Sequence, residues 1–116
     1  MKFLVILIEA DHYDRWAALT DEERADVFAA FERYDAAVAE RGTVLGGEGL
    51  AHPKEARTLG PGPADSRPVT EGPYAETAEQ IGGFYLVDLP DLESAIETAR
   101  VLPAAFSIEV RPVVEA

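Results

Sequence analysis

Glu71-Gly72-Pro73-Tyr74 sets a carboxylate and a phenol at the two ends of a rigid turn. Such a pair can hold a polar substrate or hand it a proton. The same four residues can also serve the turn alone, with Glu71 accepting backbone N–H groups and Tyr74 packing at an interface. Glu76 follows two residues beyond Tyr74, with Thr77 and Glu79 beside it. It reads either as a general base or as a cap on a short helix running toward Ile81. Glu109 and Arg111 stand two apart on a predicted strand and so share a face. An arginine there suits a carboxylate or phenolate ligand, and the plainer reading is a salt bridge across a dimer. Glu48 is a similar case on another strand. His12 follows the first strand, near where a cleft would open, and stands otherwise as a solvent-exposed loop residue. The catalytic candidates are therefore Glu71, Tyr74, Glu76 and His12, and the substrate-binding candidates are Glu48, Glu109 and Arg111.

Other chemistry is poorly supplied. The 116 residues contain no cysteine, which removes disulfides, thiolate nucleophiles and thiolate metal ligands together. His12 and His52 are the only histidines, and neither belongs to a metal-ligand spacing. Gly46-Gly47-Glu48-Gly49 lacks the lysine and the following helix of a phosphate loop. No metal and no cofactor is expected. With 10 basic and 22 acidic residues the formal charge is −12, which repels phosphate backbones and anionic headgroups. Nucleic acid and membrane are set aside as partners. The N-terminal run is too short for a membrane span and lacks the basic start of a signal peptide. A cytoplasmic protein is expected.

The elements that must position these residues follow from patterning. Phe3 to Ile8 is apolar at every position and predicts a strand buried on both faces. The stretch 11–19 reads as a polar connector. Thr20-Asp21-Glu22-Glu23 has the capping-box pattern, and Val27, Phe28, Phe31, Tyr34 and Val38 recur behind it at helical spacing, so 20–41 is predicted as one long helix ended by Gly42. A second strand is expected over 43–50. An insert follows over about 51–80, rich in Gly, Pro and charge, in which 57–59 and 67–70 pair as a small hairpin. A strand over 82–89 comes next, then a helix capped by Asp91, with Leu92, Ala95, Ile96, Ala99 and Leu102 on its buried face and Pro103 as its stop, then a strand over 107–114. Pro112 inside that last strand marks it as an edge. The order β-α-β-insert-β-α-β predicts one α+β domain over 1–116, a ferredoxin-like antiparallel sheet with both helices on one face. The first strand and 82–89 would lie at the centre. Since both are apolar on two faces, a second copy of the chain is the simplest cover for the helix-free face.

Val69-Thr70-Glu71-Gly72-Pro73-Tyr74-Ala75-Glu76-Thr77, with Gly82-Gly83-Phe84-Tyr85 after it, resembles the signature of the YCII-related family, in the branch with an Asp-Gly-Pro-Phe motif. Gly47-Glu48-Gly49-Leu50 and Glu109-Val110-Arg111-Pro112 match two further stretches common in that branch. The resemblance implies a dimeric α+β barrel, two ferredoxin-like sheets face to face. Some relatives implied by it sit near sigma-factor genes, and a few eliminate small leaving groups from ring substrates without a cofactor. The chain departs from the pattern at Glu71, where the motif has Asp, at Tyr74, where it has Phe, and at Ala78, where Lys is frequent. Better-studied members pair a histidine on the first helix with an aspartate, and 20–41 has no histidine to carry that role.

Two functions follow as expectations. In one, the chain is a homodimeric, cofactor-independent acid–base enzyme of the lyase or isomerase type, acting on a small organic anion in the cleft between sheets. In the other, it is a ligand-binding or regulatory module, sigma-factor-associated and without catalysis. A purely structural dimer is the third possibility.

Overall fold

The computed structural model describes residues 1–75 and 79–115, an α+β chain whose main sheet is antiparallel. Strand β1 is Lys2–Ala10, followed by helices α1, His12–Ala18, and α2, Asp21–Ala39. Strand β2, Thr43–Gly49, leads into the insert, where β3, Arg57–Leu59, pairs with β4, Val69–Glu71. Strand β5 is Glu79–Asp88, helix α3 is Leu92–Ala99 and strand β6 is Ser107–Pro112. The four-stranded sheet runs β2-β5-β1-β6 with every pairing antiparallel, an order compatible with a ferredoxin-like topology. The two most apolar strands take the centre, and Pro112 lies on an edge strand, where its missing N–H costs no ladder bond.

Strand β1 divides its side chains strictly by parity. Phe3, Val5 and Leu7 are buried beneath the helices, and each contributes about 1.5–3 kcal/mol by leaving water. Leu4, Ile6 and Ile8 point the other way and are only half-buried, because no helix among the described residues covers that face. Helix α2 starts where its sequence directs. The Thr20 hydroxyl accepts from the Glu23 N–H at 3.1 Å, and the Glu23 carboxylate accepts from the Thr20 N–H at 2.9 Å. Those bonds hold the Glu23 carboxyl below its ordinary range. Helix α3 is capped by Asp91, whose carboxylate accepts from the Ser94 N–H at 2.7 Å.

Three expectations are corrected. The stretch 11–19 is not a connector but contains α1, entered through Asp11 in the left-handed region at φ 51°. Phe28 does not join the core with Tyr34 and Val38; it remains 56% exposed and meets Trp16 edge-to-face, ring centroids 5.5 Å apart. Leu92 and Ile96 of α3 are likewise exposed, and the helix is seated by Ala95 and Ala99.

Candidate functional site

The first strand and the first helix meet at a sharp turn, and the turn brings a histidine onto a carboxylate. Asp11 bends the chain through its left-handed conformation, so that His12, the first residue of α1, folds back over the end of β1. His12 Nδ1 lies 3.3 Å from Glu9 Oε2, with side chains 15% and 10% exposed. A neutral imidazole that donates Nδ1–H to a carboxylate keeps its lone pair on Nε2. The carboxylate fixes that tautomer and stabilises the imidazolium formed when Nε2 takes a proton.

Strand β5 provides the seat for this ring. The β1–β5 register shifts between Leu7 and Ile8, so Leu7 faces Gly83, Ile8 faces Ile81 and Gly82 is left over as a bulge. The imidazole lies against Gly82 so closely that a Cβ there would sit 2.7 Å from Nε2. On its other sides the ring meets Tyr13 edge-on at 4.7 Å and Phe106 at 5.4 Å between centroids.

His12 also lines a cavity of about 460 Å³ between the sheet and helices α1 and α2. Leu7 and Tyr85 form its floor, Trp16, Phe28 and Phe31 its helix side, and Glu48 lies at the β2 side. Its surface is mainly apolar. The Tyr85 hydroxyl is pushed up to about 12 by burial, with the Asp35 charge adding to the shift. The Tyr13 hydroxyl is also raised, by burial and then by Glu55, and lies 2.6 Å from the Leu50 carbonyl and 2.8 Å from that of Ala51. Tyr13 thus fastens the end of β2 to α1 and remains protonated. Among the described residues no three His, Asp or Glu side chains converge as a metal site requires.

The candidates from sequence separate in space. His12 lines the cavity, whereas Glu48 only borders it on β2, its register with Phe84 and, through β5, with Ile6 turning its carboxylate to the helix-free face. Arg111 pairs across β6–β1 with Leu4, and Glu109 with Ile6, which places both on the helix-free face, away from the cavity. They pair with each other there, Arg111 Nη2 to Glu109 Oε2 at 2.6 Å. Glu71 ends β4 opposite Arg57, and Tyr74 lies just beyond it, 85% exposed. Glu76 falls outside the described residues. Glu9 had no separate signal in the sequence because it closes an apolar run; its three-residue offset from His12 becomes a contact only through the Asp11 turn.

The α+β chain thus holds a largely shielded imidazole–carboxylate pair whose histidine borders an apolar cavity. The chain belongs to the YCII-related domain family, whose model matches residues 1–116. It is also similar to an uncharacterized protein of Rhizobium meliloti (strain 1021), 50% identical over 48 residues. That match spans 38% of this chain and 39% of the relative's length.

Proposed function

We propose that the chain is a small-molecule acid–base enzyme of the lyase or isomerase type, with His12 as the base and Glu9 as the group that orients it. The observation that carries this reading is the 3.3 Å His12–Glu9 pair, largely shielded from water, with His12 on the wall of an apolar cavity. His12 Nε2 takes a proton from an acidic C–H of the substrate. The electron pair left behind forms a carbon–carbon double bond. In an elimination a leaving group on the adjacent carbon departs with its bonding pair. In an isomerisation the imidazolium returns the proton to a different carbon. Glu9 lowers the cost of the imidazolium throughout, and neither route requires a cofactor.

The ligand that suits this cavity is neutral and largely apolar. Arg111, the cation expected to attract an anion, faces away from it and is already matched by Glu109. The Glu9 carboxylate beside His12 disfavours a second negative charge nearby. The reading includes a homodimer of ferredoxin-like sheets, supported by Leu4, Ile6, Phe84 and Leu86, which lie half-buried on a face without helices.

A binding protein without turnover is the second reading, favoured by a wall that offers few polar groups to a ligand. The two are separated by titrating wild type and His12→Asn with neutral cyclic ketones, with and without a β-halogen, following heat of binding and product together. Asparagine keeps a donor for Glu9 and removes the base. Binding by both proteins, with turnover only by wild type, is the expected outcome. Binding without turnover by either supports the second reading, and absence of binding contradicts both.

A further inference from the structure

The insert is the part of the chain that the proposed site does not use, and its surface is built for contact. Strands β3 and β4 form a two-stranded ribbon that makes its substantial contacts within itself. Leu59 and Val69 lie opposite each other on one face of it, 54% and 64% exposed, flanked by the opposed pair Arg57 and Glu71. An isolated two-stranded ribbon is marginal in water and gains stability by packing against something. This one is nonetheless held firmly at its root. The Gly72 N–H donates to the Ala56 carbonyl at 2.9 Å, the Thr58 hydroxyl donates to the Gly72 carbonyl at 2.8 Å, and Tyr13 stacks on His52 while bonding at the Leu50–Ala51 carbonyls. The ribbon is an anchored arm whose far side makes no substantial contact with another element among the described residues.

The dimensions of the whole chain point to what that far side meets. The radius of gyration is 16.2 Å, against about 13 Å for a compact chain of this length. The accessible surface is 7869 Å², against about 6,200 Å² for a globular monomer of this mass. The excess, roughly 1,700 Å², is more than the ~800 Å² per partner of a standard interface. Charge narrows the choice of partner. Within 51–75, Lys54, Arg57 and Arg67 balance Glu55, Asp65 and Glu71, so the whole formal −12 belongs to the remainder of the chain. A neutral, partly apolar arm resting on the acidic body of a second copy adds contact area without adding charge repulsion.

We infer that the arm over 51–75 clasps the body of a second copy of this chain, using the Leu59–Val69 face. The inference rests on the homodimer of the proposed function and adds a contact beyond its sheet faces. The test is sedimentation equilibrium of wild type and of the double variant Leu59→Asp, Val69→Asp, with circular dichroism as the check on folding. Amide exchange of wild type at several concentrations serves as the second measurement, which no folding defect can cloud. Wild type should be dimeric, the variant should dissociate at least tenfold more readily with its helix signal kept, and amides of 57–59 and 69–71 should gain protection as wild type dimerises. A dimer unchanged in the variant, or exchange in those strands independent of concentration, overturns the arm and leaves a sheet-face dimer standing. A wild-type monomer at about 100 μM, a concentration at which a Kd near 1 μM (about −8 kcal/mol) gives almost complete dimer, overturns both.

Discussion

The His12 imidazole rests on the backbone of Gly82, with no room between them for a methyl group: a Cβ at Gly82 would stand 2.7 Å from Nε2 and 2.8 Å from Cδ2. The bulge that frees Gly82 from its pairing with β1 lies on β5, and the left-handed Asp11 that turns the chain into His12 directly follows the neighbouring strand β1. Together they fix the ring between Glu9 and the cavity.

Gly82→Ala should therefore displace the imidazole without unfolding the sheet. Overpacking of this kind costs about 1–3 kcal/mol of stability. The more specific outcome is loss of the Glu9 contact. Imidazole ¹⁵N spectra of wild type should show His12 with its proton on Nδ1, and the variant should show a mixture of tautomers. An unchanged tautomer in a folded variant means that Gly82 does not position the ring.

Tyr34 is fully buried, yet among the described residues no group pairs with its hydroxyl. Its ring packs on Tyr85 at 4.7 Å between centroids. Tyr34→Phe keeps the ring and removes a desolvated polar atom, so urea unfolding should show stability unchanged or raised by about 1 kcal/mol. A loss of more than 1 kcal/mol would reveal a hydrogen bond at that hydroxyl.

Alkaline pH should destabilise the fold through the same cluster. The Tyr85 hydroxyl titrates near 12 in the folded chain against an ordinary value of 10.0, chiefly because burial penalises phenolate. Tyr34 shifts in the same direction, by burial first and then by Tyr85 and Asp35. A group raised on folding contributes stability that is complete below its unfolded value and lost as pH rises through its folded one. Thermal midpoints should be level from pH 8 to 9.5 and fall between about pH 10 and 12. Tyr85→Phe should fall less steeply over that interval, and an equal slope in both proteins contradicts the assignment.

The frame was legible because local signals and burial agree. Thr20 and Glu23 form the capping box their spacing implies, Asp91 caps α3, and Pro112 sits on an edge. The 57–59 hairpin was legible too, though its partner strand begins at Val69 rather than at Arg67. Helix α1 was not, since its seven residues bury no side chain and its first residue follows a turn with no side-chain cap. The site depended on that missing helix. A histidine was visible after the first strand, but its carboxylate partner was hidden at the end of an apolar run. The sequence also drew attention to Arg111, whose parity on β6 was readable while the face holding the cavity was not.

Proton abstraction by His12 is the claim on which the functional account stands, and solvent exchange measures it without knowledge of the leaving group. The protein is incubated in D₂O with neutral cyclic ketones, and loss of the α-proton signal is followed by ¹H NMR for wild type, His12→Asn and Glu9→Gln. Wild type should accelerate exchange of at least one compound. His12→Asn should fall to the buffer rate, and Glu9→Gln should lose about 10²-fold, within the range a positioned base contributes. Exchange by His12→Asn at the wild-type rate, or no acceleration by wild type with any compound that it binds, contradicts the account.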